Sequence, residues 1–411
     1  MRKPVSSAVL ALAFFGGAAA LASGQAPATP ASKGPTLYVR VGRIALAPGD
    51  SGGGWIRLEN GVLAAIERAP AFRPPEGAET LELDQGWATP TFVHPFARAL
   101  SDGSDADEGV TAGAVAADLF DPFEPRPTWA ATGVAHAFVA SGFARLVPGQ
   151  GSVVRLHAAD PLEAVAVRSA ALRINLGEAV RSTPELWKPP ILPGPEDPFR
   201  PAVDQGPKTR GGAAQQIRAL FRAADAWRRA PRPLGPDEPD LRPFAAALEG
   251  KLPVRVAADR YADVASAIQL SRELGFRLVI EGGNEAWKLA DELAAAKASV
   301  VLRLTFVAPT GSAPFAPVFL PEGEGHPDAH VRLRDAGVPI AFMPPEGGKD
   351  EDLWFYASRA LRPGVFSEEE ALAATTWTAA RLCGLPFEPA AIGRPAEIAI
   401  FAGSPFEATA R

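Results

Sequence analysis

The sequence predicts an α/β protein, a (β/α)8 TIM-like barrel with a small β-sandwich domain formed from both chain ends. Between residues 89 and 388, short apolar segments alternate with segments of helical spacing, an order typical of βαβ units and a parallel sheet. A region of this length suits eight such units. Short β-like segments precede residue 89, and a similar segment at residues 397–401 follows residue 388, so both ends are expected to form the second domain.

Residues 1–24 have the pattern of a secretory signal peptide. A basic start precedes an apolar run from Ala8 to Ala22, and small residues follow at the expected cleavage site. The run of about 15 residues is shorter than the roughly 20 that a membrane-spanning helix needs. Residues 25–35 are predicted to be a leader on the mature chain. We therefore expect an exported protein, periplasmic or extracellular, that is soluble after cleavage.

The predicted β-sandwich comprises residues 36–88 and 389–411. Apolar segments alternate there with turn residues, and Asn60-Gly61 between two apolar runs is a strong hairpin signal.

The predicted barrel, residues 89–388, contains recognisable strands and helices. Strands are expected at residues 134–139, 153–156, 253–256, 277–280, 299–302 and 338–342. Helical spacing is found at residues 161–175, 213–229, 261–274, 285–296, 329–336 and 367–382.

Composition excludes several kinds of site. The single cysteine cannot form an internal disulfide or a thiolate zinc or iron–sulfur centre. A net charge of −6 gives no indication of nucleic-acid binding. The five histidines are numerous enough for a metal centre, so their positions decide whether one is present.

Six segments resemble a known family. They are residues 86–98, 131–139, 148–156, 172–178, 252–293 and 393–406. The first is similar to the pattern G-x-x-x-x-P-G-[FL]-I-D-x-H-x-H, and the fifth matches lPVrihAHradDI…ALrLaeEfGfrlvIEHGtEAyKvAdeLa almost position for position. These segments resemble the amidohydrolase superfamily, in particular its exported, imidazolonepropionase-like branch. The resemblance implies a (β/α)8 barrel flanked by a β-segment from both termini.

The resemblance also implies a reaction and a metal site. Active relatives hydrolyse C–N bonds in amides or cyclic amides with one or two divalent ions, zinc among them. A His-x-His pair, two further histidines and an aspartate hold the ions, sometimes with a carboxylated lysine. The ion lowers the pKa of a bound water to about 7 and polarises the scissile carbonyl.

In this sequence each of these positions carries a different residue. The replacements are Phe96 and Arg98 at the His-x-His pair, Ala257 and Gly282 at the further histidines, and Pro345 at the aspartate. His94 stands where the family has another aspartate. Arg155 stands at the lysine position, and a guanidinium cannot be carboxylated. Because no ligand set remains, we expect no metal and no other cofactor.

Polar residues remain near the expected strand ends. The weak catalytic candidates are Asp259, Glu281 and Glu346, and the binding candidates are Gln150, Arg155 and Arg260. A structural ion pair or a solvated rim is the alternative for each. His326 and His330 have the spacing of two ligands on one helical face, but no third ligand is nearby in sequence.

Three interpretations of function remain open. The first is an exported pseudo-hydrolase without metal that binds a small molecule or an active amidohydrolase paralogue. The second is an active hydrolase with a rebuilt or metal-independent site. The third is a structural scaffold whose barrel mouth is packed shut. None of them involves nucleic acid or a membrane-spanning segment.

Overall fold

A computed structural model of the protein describes residues 35–100, 109–181, 207–230, 238–304, 325–345, 348–388 and 391–407. The predicted signal peptide, nearly all of the leader, and Glu346 lie outside these ranges.

Thirteen strands and ten α-helices lie in the described part of the chain. The strands are β1 (Thr36–Ile44), β2 (Gly54–Glu59), β3 (Val62–Glu67), β4 (Glu79–Pro90), β5 (Phe92–His94), β6 (Val134–Val139), β7 (Gly149–Arg155), β8 (Val165–Asn175), β9 (Val254–Ala258), β10 (Leu278–Gly282), β11 (Ser299–Arg303), β12 (Ile340–Met343) and β13 (Ile398–Phe401). The helices are α1 (Pro127–Ala131), α2 (Glu178–Arg181), α3 (Arg210–Arg229), α4 (Glu238–Leu248), α5 (Tyr261–Leu274), α6 (Ala290–Ala295), α7 (Ala329–Asp335), α8 (Leu353–Ala360), α9 (Glu368–Thr375) and α10 (Trp377–Leu382).

Strands β5 to β12 form one eight-stranded sheet in sequence order, a nearly closed barrel. Helices α9 and α10 each contact both β5 and β12, and so lie across the two ends of the sheet. The arrangement confirms a mixed α/β, TIM-like barrel. None of the described helices is long and apolar enough to cross a bilayer.

Strand β7 runs against its neighbours. It pairs antiparallel with both β6 and β8, whereas the other pairs in the barrel are parallel. The connections on either side of β7 are too short for a crossover helix, which takes a dozen or more residues, so the chain turns back as a hairpin. The helix expected at residues 161–175 is wrong, because most of that segment forms β8.

The small sheet has the order β13-β4-β1-β2-β3 and therefore joins both ends of the described chain. Hydrogen bonds also link its two edges: the Leu63 amide donates to the Arg394 carbonyl at 3.0 Å, and the Ala396 amide donates to the Gly61 carbonyl at 2.9 Å. The sheet closes on its own apolar face, which includes Val39 and Ile56. A single curled sheet thus replaces the predicted sandwich, because no second sheet is needed to bury that face.

Local sequence explains the ends of several helices. Helix α5 ends at Gly275, whose φ of 78° is the left-handed conformation that glycine adopts without strain. Helix α9 begins with a capping box, in which Ser367 and Glu370 exchange side-chain to backbone hydrogen bonds. Helix α3 buries an apolar stripe that includes Ile217 and Phe221, and it packs on α4 and α5.

Candidate ligand site at the mouth of the barrel

Three charged side chains lie inside the barrel on adjacent strands. Arg173 on β8 pairs directly with Arg255 on β9, and Glu281 on β10 pairs with Ala257, two residues further along β9. Because side chains two residues apart on a strand share a face, all three point to the same side of the sheet. All three are almost completely buried.

The three residues form one ion cluster, called here the Arg–Glu–Arg cluster. The Arg173 Nη2 and Nε donate to Glu281 Oε1 at 2.5 and 3.0 Å, and the Arg255 Nε donates to Glu281 Oε2 at 3.0 Å. The guanidinium of Arg255 lies 3.7 Å from the ring centroid of Phe138. That of Arg173 lies 4.6 Å from the ring centroid of Phe143. Both carboxylate oxygens are thus paired, and both cations lie on aromatic faces.

The Arg–Glu–Arg cluster also holds backbone from two other segments. Arg255 Nη2 donates to the Pro95 carbonyl, just after β5, at 2.7 Å. Arg173 Nη1 donates to the Gly142 carbonyl, just after β6, at 3.1 Å, and also to the Ser141 carbonyl. The cluster therefore ties together the carboxyl ends of β5 and β6 and the strands β8 to β10.

Electrostatics keep Glu281 ionised. Burial acts to raise the pKa of Glu281, but the guanidinium groups of Arg173 and Arg255 outweigh it, so the pKa is lowered from its ordinary value. Burial lowers the pKa of Arg173, against the attraction of Glu281. With two cations and one anion, the cluster carries a net positive charge inside the barrel.

A cavity of about 100 Å³ adjoins the cluster at the strand ends. Its polar lining consists of Arg98, Asn175, Asp259 and Arg303, and Phe143, which contacts the Arg173 guanidinium, also lines it. Arg303 Nη1 lies 3.5 Å from Asp259 Oδ2, and both side chains are largely buried. This cavity at the barrel mouth, called here the mouth cavity, is the candidate ligand site.

Asn175, one of the residues that line the mouth cavity, has an unsatisfied acceptor. Its Nδ2 donates to the carbonyls of Arg145 at 2.8 Å and Gly142 at 3.1 Å, which fixes the orientation of the amide. Its Oδ1 is buried and has no hydrogen-bond partner among the described residues. A buried acceptor of this kind is rare unless a water or ligand satisfies it.

The residues proposed from sequence do not all converge. Asp259 lines the mouth cavity, whereas Glu281 is enclosed in the Arg–Glu–Arg cluster. Arg260 lies nearby at the start of α5, where its Nη1 is 2.5 Å from Glu178 Oε1 and its side chain is 40% exposed. A solvated ion pair is thus the observed state of Arg260.

Two binding candidates lie elsewhere. Gln150 lines a separate pocket of about 470 Å³ with Arg242 and Lys251, and its Nε2 donates to the Ala112 carbonyl at 3.0 Å. Arg155 pairs with His136 near the start of β6, and its Nη1 donates to the Glu163 carbonyl at 3.1 Å. Neither residue lines the mouth cavity.

The histidines of the described chain are dispersed. His94 is fully buried at the end of β5, where its Nδ1 accepts from the Phe96 amide at 3.3 Å and its Nε2 lies 3.8 Å from Asp350 Oδ1. His330 is buried with its Nε2 3.0 Å from the Ala360 carbonyl. His326 precedes α7 and packs on Trp287 instead. The two do not share a ligand site.

His136 gives the fold a predicted sensitivity to acid. Burial, with Arg155 and His157 nearby, lowers its pKa to about 3, against about 6.5 in an unfolded chain. Between these values only the unfolded state binds the proton, so stability falls as pH falls. Glu397 Oε1 lies 3.7 Å from His136 Nε2, and burial raises the pKa of Glu397. The contribution of Glu397 to stability therefore falls as pH rises, opposite to that of His136.

The free energy of unfolding should fall between pH 7 and pH 5 in the unsubstituted protein. In the His136→Gln variant we expect this fall to be smaller by about 2 kcal/mol. Urea denaturation at the two pH values measures this difference. Identical pH dependence in the two proteins would contradict the assignment of a neutral buried imidazole.

Comparison with solved structures identifies the architecture. An amidohydrolase from Thermotoga maritima MSB8 superimposes with a TM-score of 0.71 at 24% sequence identity, covering 90% of this chain and 95% of that chain. The chain has the amidohydrolase fold. The resemblance found in the sequence is thus confirmed at the level of architecture. No protein-family model matches the sequence, and no curated protein does.

Two further solved structures show a weaker similarity. A prolidase solved with N-methylphosphonate-L-proline has a TM-score of 0.48 at 16% identity, covering 91% of this chain and 94% of that chain. Atrazine chlorohydrolase from Arthrobacter aurescens TC1, solved with zinc, has a TM-score of 0.44 at 13% identity, covering 89% of this chain and 87% of that chain. At these scores neither supports an inference about this chain.

A divalent metal, which the amidohydrolase fold implies, does not fit the residues at the mouth. Phe96 packs against the Arg173 guanidinium, and Arg98 and Ala257 line the mouth cavity. Gly282 has a φ of 95°, and a Cβ atom there would lie 2.4 Å from Asp259 Oδ1. Within the described ranges, no three His, Cys, Asp or Glu side chains could hold an ion together.

The sequence did not predict that Arg173, Asn175 and Arg303 would lie at the barrel mouth. A signal for them was present, because each follows apolar residues of a buried strand near its carboxyl end. A charged residue in such a position requires a partner, which indicates an interior ion pair.

Proposed function

We propose that the protein is an exported, metal-free pseudo-hydrolase that binds a small ligand at the barrel mouth. The observation that carries this proposal is the Arg–Glu–Arg cluster, which places net positive charge beside the positions that hold the metal in active relatives. A divalent cation there would be repelled by two buried guanidinium groups in an environment that screens charge poorly. The absence of suitable ligands at Phe96, Ala257 and Gly282 supports the same conclusion.

Metal analysis is the direct test of this proposal. We expect protein purified without a metal-binding tag, after dialysis, to contain far less than one zinc, manganese, iron or cobalt ion per chain. A panel of N-acyl amino acids, dipeptides and lactams should show no turnover above background. One retained ion per chain, or turnover lost on chelation and restored by zinc, would contradict the proposal.

An active hydrolase with a rebuilt site is the second candidate. Asp259 favours it, since its carboxylate lines the mouth cavity and could accept a proton from a bound water. Turnover of any member of the panel, abolished by Asp259→Asn and unaffected by Glu249→Gln, would establish this function. Glu249 is a suitable control because its carboxylate pairs with exposed Lys251.

Export and a protein partner also belong to the proposal. The basic and apolar pattern of residues 1–24 supports cleavage and export. N-terminal sequencing of the protein from the expressing cells tests this. A mature chain beginning near Gln25 is expected, and a retained Met1 in the cytoplasmic fraction would contradict it. An active amidohydrolase paralogue is the alternative partner to a small molecule.

A further inference from the structure

We propose that Asp263, a buried carboxylate on α5, fixes one wall of the mouth cavity and holds together the two chain ends that flank residues 182–206. It does so through Arg181 and Arg210, and the three residues are called here the clasp. The inference goes beyond the proposed function, because it concerns how the mouth is held in shape and not what binds there.

Asp263 accepts hydrogen bonds from two separate parts of the chain. Arg181, the last residue of α2, donates from its Nη1 to Asp263 Oδ1 at 3.2 Å. Arg210, the first residue of α3, donates from its Nε to the same oxygen at 2.6 Å. Residues 182–206, which lie outside the described ranges, come between these two arginines in the sequence. The two chain ends therefore meet at one atom.

Burial makes Asp263 the essential member of the clasp. Its side chain is 1% exposed, against 12% for Arg181 and 44% for Arg210. Removing one partner of a buried ion pair costs far more than removing one partner of an exposed pair, because the remaining charge is poorly solvated. Asp263 also lies in the first turn of α5, where the helix dipole favours an anion. Loss of the carboxylate should therefore release both arginines together.

Arg181 connects Asp263 to the wall of the mouth cavity. The same Nη1 donates to the Leu176 carbonyl at 2.6 Å, and the Leu176 amide donates to a carbonyl at the end of β9 at 2.9 Å. Gly177 and Ala179, which lie between Leu176 and Arg181, line the mouth cavity. Helix α2 has four residues, and a helix this short is not stable by itself in water. Its contacts with the rest of the protein must therefore fix this wall.

Two further contacts of α2 contribute less to its orientation. Val180 is buried in the apolar core, but an apolar contact has no preferred direction. Arg181 Nη2 lies 3.8 Å from Glu178 Oε1, and Glu178 is 46% exposed and also lies 2.5 Å from Arg260 Nη1. An exposed pair at this distance contributes little. The hydrogen bond to Asp263 therefore supplies the directional contact between α2 and α5.

Hydrogen exchange of the untagged full-length protein, followed by mass spectrometry, tests the clasp. We expect Asp263→Asn to raise the exchange rates of backbone amides in residues 176–181 and 210–216 about tenfold or more, because both chain ends then open without breaking an ion pair. Asp263→Ala, which also removes the hydrogen-bond acceptor, should raise these rates further.

The two arginine variants separate the arms of the clasp. Arg181→Gln should raise exchange in residues 176–181 alone. Arg210→Gln should raise exchange in residues 210–216 alone. A carboxylate shared by both arms explains why one change at Asp263 affects both segments. Because Arg210 is partly exposed, its replacement tests the clasp even if the Asp263 variants do not fold.

Two control variants match these changes. Glu273→Gln removes a carboxylate that accepts from Arg218 Nε at 2.8 Å, in a pair that also joins α3 to α5 but is partly exposed. Ile56→Ala lowers stability by removing apolar contacts in the core of the small sheet. Amides that exchange by local opening respond only to contacts broken in that opening. Neither control should therefore raise exchange in the two segments.

Four outcomes would overturn the inference. They are unchanged exchange in both segments of Asp263→Asn, a rise in only one of them, an equal rise in Ile56→Ala, and no rise in residues 210–216 of Arg210→Gln. None of these outcomes depends on metal content or on ligand binding, so the inference and the proposed function are tested separately.

Discussion

Replacing Glu281 by glutamine is expected to lower the free energy of unfolding by about 3–5 kcal/mol, because it leaves two buried guanidinium groups without a counter-charge. Native proteins are stable by about 5–15 kcal/mol, so the change removes a large share of that margin. Denaturant unfolding at neutral pH, followed by tryptophan fluorescence, measures the difference.

Two further variants make this prediction specific. Glu82→Gln removes a carboxylate that pairs with Arg40 at 3.1 Å on the surface, where both side chains are about half exposed, and it should cost less than about 1 kcal/mol. The triple change Arg173→Met, Arg255→Met, Glu281→Leu removes the Arg–Glu–Arg cluster as a unit and should be more stable than Glu281→Gln alone. Equal effects of Glu281→Gln and Glu82→Gln would contradict the buried cluster.

Gly282→Ala is expected to lower the free energy of unfolding by about 2–3 kcal/mol, the second largest effect. The alanine would have to keep a backbone φ of 95°, and its Cβ would lie 2.4 Å from Asp259 Oδ1. Asp259 cannot move away freely, because its Oδ1 accepts from the Asn284 amide at 3.3 Å and Arg303 lies beside it. Chemical denaturation measures the loss.

Gly250→Ala separates backbone strain from steric contact. Gly250 also has a positive φ, of 70°, but a Cβ there would meet nothing within 4 Å. Its replacement should therefore cost only about 1 kcal/mol. The double variant Gly282→Ala, Asp259→Ala should recover part of the loss. If the two single glycine variants are equally stable, the contact with Asp259 is not what keeps position 282 small.

Much of the barrel could be predicted from the sequence, since β9 to β11 and the helices between them have short connections and clear periodicity. Residues 161–175 have helical spacing in the sequence, which predicts a helix. Their strand state depends on partners on both sides, β7 and β9. Such pairing is a tertiary effect that overrides local preference.

The candidate site was predictable in part. The residues at the family's ligand positions, such as Phe96 and Gly282, could be read directly from the sequence. The Arg–Glu–Arg cluster could not be predicted, because Arg173 and Glu281 are 108 positions apart and only the strand order brings them together. Burial of Arg173, like the orphaned oxygen of Asn175, becomes visible only when neighbouring strands are placed in register.

The closed small sheet constrains the order in which the molecule can be assembled. Residues 87–90 of β4 pair with β13, which the ribosome makes about three hundred residues later. Until β13 arrives, β4 presents an open edge of Trp87 and its neighbours that other chains could pair with. The β4–β13 pair can form only after all eight strands of the barrel have been made. A chain truncated before β13 should therefore be prone to aggregate through this edge.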